Sequence, residues 1–174
     1  MKKNMIITGV LAAMVFLTTA YILHIPIVGG GYVHLGDTMV YFAAALLPTP
    51  YAMAAAAIGG GLADVLTGAA MWAPATVLIK ALMVLPFTAK KDTLLCWRNG
   101  LAPIFSGLIG MAGYFCAEIV IVLASGGVWQ AAVGGAVAAI PFNGGQELAG
   151  GVAFVVLAAA LDRLRVKQRL LRMM

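Results

Sequence analysis

Residues 38–89 read TMVYFAAALLPTPYAMAAAAIGGGLADVLTGAAMWAPATVLIKALMVLPFTA, a run of 52 residues holding two charges, Asp64 and Lys80. A helix needs about 20 apolar residues to cross the hydrocarbon core of a bilayer, fewer where it is broken or the membrane is thinned. The run is too long for one crossing. Its own punctuation divides it: Pro48, Thr49 and Pro50 form one turn signal, and Trp72, Ala73 and Pro74 form another. Three short spans result, over 36–47, 51–71 and 74–89.

The flanking charges set the parity of the crossings. Basic residues cluster at Lys2 and Lys3, at Lys90, Lys91 and Arg98, and at Arg163, Arg165, Lys167, Arg169 and Arg172. That is positive-inside spacing and not a nucleic-acid face. Residues 5–23 form span one and lead out to a Gly-rich segment, His24 to Asp37, that has no Lys or Arg. The return to the Lys90–Arg98 loop takes an odd number of crossings, hence three. The stretch 101–161 begins and ends beside cytoplasmic charge, so its count is even. Span five covers 101–124, Ser125 to Gly127 turn the chain into a short outer helix at 128–140, Pro141 breaks it, and span six covers 143–161. The predicted fold is an all-α membrane protein with six transmembrane helices, short or broken near the outer face. It is one domain in the cell membrane, with both termini cytoplasmic.

Composition agrees with this reading. The 174 residues are 63% apolar and 10% charged, a balance that a water-exposed globule could not wear on its surface. Ten of the eleven Lys and Arg residues behind the net charge of +5 reside in the three clusters. Cys96 and Cys116 match neither a disulfide framework nor a metal-ligand spacing. Met1 to Tyr21 resembles a secretory signal, but Thr18 to Ala20 is a poor cleavage site, so the segment is read as a retained span. The glycine triplet at 29–31 reads as an outer loop and that at 59–61 as close helix packing. The sequence contains no Walker phosphate loop, His-Glu-x-x-His or Gly-x-Ser-x-Gly. The chain is therefore expected to bind rather than react, with no cofactor of its own.

Charged groups inside spans line cavities or pair with each other. On the spans drawn above, Asp64, Lys80, Glu118 and Glu147 all fall roughly 6–10 Å below the outer surface, counting about 1.5 Å per residue. Asp64 and Lys80 at matched depth read either as a structural ion pair or as part of a pocket. Glu118 and Glu147 have no basic partner left and are expected to share protons, accept hydrogen bonds or meet a ligand. Asn143, Gln146 and Glu147, crowded with glycines after Pro141, resemble the broken helices that form transporter sites, although Asn143 also reads as a helix cap. His34, Asp37, Tyr41, Trp72 and Trp129 lie near the same face. They read as lid or aromatic contacts, and an aromatic belt alone would account for the two tryptophans.

The run Val33-His-Leu-Gly-Asp-Thr-Met-Val-Tyr-Phe-Ala-Ala-Ala-Leu-Leu-Pro, then Gly60-Gly-Leu-Ala-Asp-Val-Leu-Thr-Gly and Trp72-Ala-Pro-Ala-Thr-Val-Leu-Ile-Lys-Ala-Leu-Met, resembles the S components of energy-coupling factor (ECF) transporters. Within that family it resembles the subgroup of hydroxymethylpyrimidine and pyridoxine carriers. The resemblance implies a membrane subunit that captures a small water-soluble vitamin, thiamine/hydroxymethylpyrimidine-like or pyridoxine-like. It also implies partners: a transmembrane coupling protein (the T component) and two ATPase subunits that hydrolyse ATP. Substrate contacts carried over by the resemblance are Gly36 and Asp37 in the loop, then Lys80, Glu118, Asn143 and Glu147. Docking through small residues on span one would use Gly9, Ala12 and Ala13, of which Gly9 with Ala13 keeps the four-residue spacing. Two other functions fit the same residues. One is a stand-alone proton-coupled transporter using Glu118 and Glu147, and the other is an assembly protein without a ligand.

Overall fold

The computed structural model describes residues 2–22, 24–26 and 32–173, with side chains up to 170 except at Pro26. The outer-loop triplet Gly29–Gly31 and Leu23, the predicted end of span one, lie outside the described residues. Seven helices account for most of the chain: α1 (Lys2–Ala20), α2 (Gly36–Leu46), α3 (Thr49–Leu66), α4 (Ala73–Met83), α5 (Trp97–Ala124), α6 (Trp129–Arg163) and α7 (Val166–Met173). Between α1 and α2 a small antiparallel hairpin pairs β1 (Ile25–Pro26) with β2 (Tyr32–Val33).

Helices α1, α5 and α6 are long and apolar enough to cross a membrane. At about 1.5 Å per residue, α2 and α4, 11 residues each, reach roughly half the ~30 Å hydrocarbon core. Proline sits where helices begin. Pro50 is the second residue of α3 and Pro74 the second of α4, positions whose N–H groups have no intrahelical acceptor in any case.

One sequence expectation fails here. The predicted break at Pro141, with an outer helix at 128–140 and a separate span from 143, is absent: α6 runs unbroken through Pro141 for 35 residues. Carrying a proline forfeits one backbone hydrogen bond, whereas ending a helix in an apolar layer strands several N–H and C=O groups, each costing several kcal/mol. Continuity is the cheaper solution.

The helices pack in the order α1, α3, α4, α5, α6, and α2 closes the ring by packing against both α6 and α1, and against α3. Helix α2 is buried along nearly its whole length, from Gly36 through Ala45 with Met39 the one partly exposed residue, as expected of a helix that is apolar all round. Its Tyr41 packs with Phe87 and Phe154 in the core. The outer surface is apolar: Ile6 and Val10 on α1, Ile104 and Leu108 on α5, and Val152 and Val156 on α6 are all exposed. The protein is a multi-pass membrane protein whose lipid-facing side chains lie outside and whose polar groups lie within.

Small residues bring the ring together. A Cβ on Gly59 would lie 2.5 Å from the Ala12 carbonyl, and one on Gly61 would lie 2.7 Å from Val77, so the triplet at 59–61 packs α3 against both α1 and α4. Ala12 is consumed by this contact and is buried, which removes it from the predicted docking face. Gly9 and Ala13 remain exposed.

The end of the ring remote from the hairpin is fastened by polar side chains. The buried Lys167 ammonium donates to the carbonyls of Ala45 (2.8 Å), Ala89 (3.0 Å) and Thr93 (3.3 Å). The Asp162 carboxylate accepts the N–H groups of Leu94 and Leu95, each at 2.8 Å. These bonds tie the end of α2 and the 84–96 connection to the segment joining α6 and α7.

A candidate binding cavity beneath the hairpin

Beneath the β1–β2 hairpin lies a cavity of about 290 Å³. The hairpin roofs it with Tyr32 and His34. Helix α1 contributes Thr19, α3 contributes Asp64, and α4 contributes Thr76 and Lys80, with Trp72 at its N-terminal cap. Helix α5 contributes Tyr114 and Glu118, and α6 contributes residues from Gly135 to Gln146, Asn143 among them. That stretch of α6 spans about 16 Å along the helix axis, so the cavity is elongated.

The floor is a buried ion pair. Lys80 Nζ donates to Asp37 Oδ1, and neither side chain is more than 1% exposed. Gln146 Nε2 donates to Asp37 Oδ2 at 2.8 Å, while its Oε1 accepts the backbone N–H of His34 at 3.1 Å. One amide thus links the pair to the roof. Burial holds the His34 imidazole well below its ordinary range, at about 4, so at neutral pH its Nδ1 accepts the Gly36 N–H (2.9 Å). Gly36 can be nothing larger, because a Cβ there would overlap Thr19 Oγ1.

Of the two readings of Asp64 and Lys80, the ion pair is not formed, since Lys80 pairs with Asp37; both residues line the cavity. Asp64 accepts the Tyr32 hydroxyl from the roof through Oδ1. Tyr32 in turn stacks on His24, with ring centroids 4.0 Å apart.

The single shared depth for Glu118 and Glu147 is corrected by the unbroken α6. Glu147 lies roughly 27 Å along α6 from Trp129 rather than about 6 Å, whereas Glu118 lies about 9 Å from the end of α5. Glu118 accordingly lies beside Gly135 and lines the cavity. Glu147 lies level with Gly107 and Gly110, outside the cavity, where it accepts the Tyr41 hydroxyl at 2.6 Å. The proton-carrier alternative relied on these two carboxylates acting together, and the fold separates them. Two predicted lid residues also sit elsewhere: Tyr41 is fully buried in the core, and Trp129 is exposed at the start of α6.

Sequence reasoning missed Thr19, Tyr32, Thr76, Tyr114 and Phe142, all of which line the cavity. Tyr114 Oη donates to Thr76 Oγ1 at 3.3 Å, and its ring faces the Lys80 ammonium at 5.3 Å. A Thr or Tyr inside an apolar run carries no signal of its own. For Thr76 the Pro-Ala-Thr stretch, already matched to a family motif, was the available clue.

A family model described as the ECF-type riboflavin transporter, S component, matches residues 1–163. It points to the riboflavin group and not to the thiamine, hydroxymethylpyrimidine or pyridoxine carriers that the motifs resemble. No curated protein matches the chain.

Proposed function

Because the chain belongs to the ECF-type riboflavin transporter S-component family, we propose that it captures a small water-soluble vitamin in the cavity beneath the hairpin. The vitamin carries a flat heteroaromatic ring, and riboflavin is the first compound to try. The observation that carries this reading is the elongated cavity itself, in which Tyr32, Trp72 and Tyr114 offer aromatic surface and Lys80, Asp64, Glu118, Asn143 and Gln146 offer polar groups. Its volume stands at the lower end of the ~300–1,000 Å³ common for small-molecule sites. A ring system with a polar chain suits a long narrow space better than a compact single ring does.

In this reading the chain makes six crossings as one domain, with its termini and basic clusters cytoplasmic and the hairpin facing out. Asp37 holds the floor through Lys80 and Gln146, Gln146 also ties the floor to the roof, and His34 and Trp72 close the site. As in ECF S components generally, transport then requires a T component and two ATPases. Gly9 and Ala13 present the small-residue face for docking.

Titrating purified full-length protein with riboflavin, by quenching of flavin fluorescence and without ATP, is expected to give saturable one-to-one binding. No binding of riboflavin at micromolar concentration would overturn the assignment of substrate.

A further inference from the structure

Nearly every buried polar side-chain atom among the described residues has a hydrogen-bond partner, as folded proteins require. Three do not: Thr19 Oγ1, Asp64 Oδ2 and Trp72 Nε1. All three belong to residues that line the same cavity, although they come from α1, α3 and the start of α4. Thr19 and Asp64 are 2% and 5% exposed. A buried polar atom left unpaired is costly, and three on residues that line one cavity form a template for whatever fills it.

The template has a sign. Asp64 Oδ2 can only accept while the carboxyl is ionised, Trp72 Nε1 can only donate, and Thr19 Oγ1 can do either. The other oxygen of Asp64 is already taken by the Tyr32 hydroxyl of the roof, so one carboxylate meets the lid and the ligand at once.

We propose that Asp64, Trp72 and Thr19 form the specificity subsite of the cavity, reading a lactam- or imide-type edge whose N–H donates to Asp64 and whose carbonyl accepts from Trp72. Resting on the proposed function, this assignment narrows the substrate to heterocycles that carry such an edge. Riboflavin carries one, with an N–H at position 3 between two carbonyls.

The test uses purified full-length protein and two probes, riboflavin and 3-methylriboflavin, which lacks the N–H. Wild-type protein is expected to bind riboflavin about 100-fold or more tightly than the methylated probe, since a site built around a donor rejects an analogue without it. Asp64→Asn can keep an oxygen for Tyr32 while turning the other acceptor into a donor. It should weaken riboflavin binding about 10- to 100-fold and erase most of the discrimination. Trp72→Phe should weaken both probes by about 10-fold and leave their ratio unchanged. If wild-type protein binds both probes within twofold of each other, or if Asp64→Asn retains wild-type affinity, the subsite assignment is wrong while the proposed function stands. Failure of wild-type protein to bind riboflavin overturns the proposed substrate and this assignment with it. The comparison of probes on wild-type protein needs no variant to fold.

Discussion

Lys80→Met is expected to destabilise the protein by about 3–5 kcal/mol, the range measured when one partner of a buried ion pair is removed. Asp37 is fully buried at the head of α2, and without Lys80 its carboxylate keeps only the Gln146 amide. Helix α2 is buried along nearly its whole length and packs against α1, α3 and α6, so the uncompensated charge falls inside the bundle. For a chain of this length the loss corresponds to a fall in melting temperature of roughly 6–20 °C, readable by thermal unfolding in detergent. The double variant Lys80→Met/Asp37→Leu should recover part of that loss, because removing both charges leaves no bare ion. A Lys80→Met protein within about 1 kcal/mol of wild type would mean that the pair is solvated and the buried floor is misassigned.

Gln146→Leu is expected to release the roof. The substitution keeps the side chain's bulk but leaves the His34 N–H and one Asp37 oxygen buried without partners, a penalty of about 1–3 kcal/mol for each. The Tyr32–Asp64 bond would remain as the roof's attachment to the helices. Riboflavin affinity should fall by roughly 30-fold or more, and the His34 backbone amide should exchange its hydrogen much faster. If affinity is unchanged and His34 stays protected, the hairpin is held by packing alone.

How much of this was legible in the sequence depends on which geometric question is asked. Charge parity and proline placement located the starts of α2, α3 and α4 within about two residues. Those signals act locally, through the N–H groups that proline lacks. Pro141 misled because the same residue is tolerated inside a helix when the alternative strands backbone groups in an apolar layer. That one misreading shifted Glu147 by about 20 Å along α6 and created a false acidic pair.

Level along an axis was therefore partly readable, but direction around it was not. Depth alone matched Lys80 with Asp64, whereas its partner in the fold is Asp37, which the burial of α2 brings to it. The role of Gln146 as a bridge likewise depends on the His34 N–H, a backbone group 112 residues away. Thr19 and Tyr114 were invisible for a different reason: each looks like an ordinary span residue until the helices around the cavity are assembled.

The most direct measurement of the central claim is a structure of the protein determined with riboflavin. The account predicts density filling the space between α6 and the hairpin, in contact with Asp64, Trp72 and Tyr114. Density in the second hollow, between α5 and α6 beside Leu108 and Val152, or an empty cavity at saturating riboflavin, would contradict it.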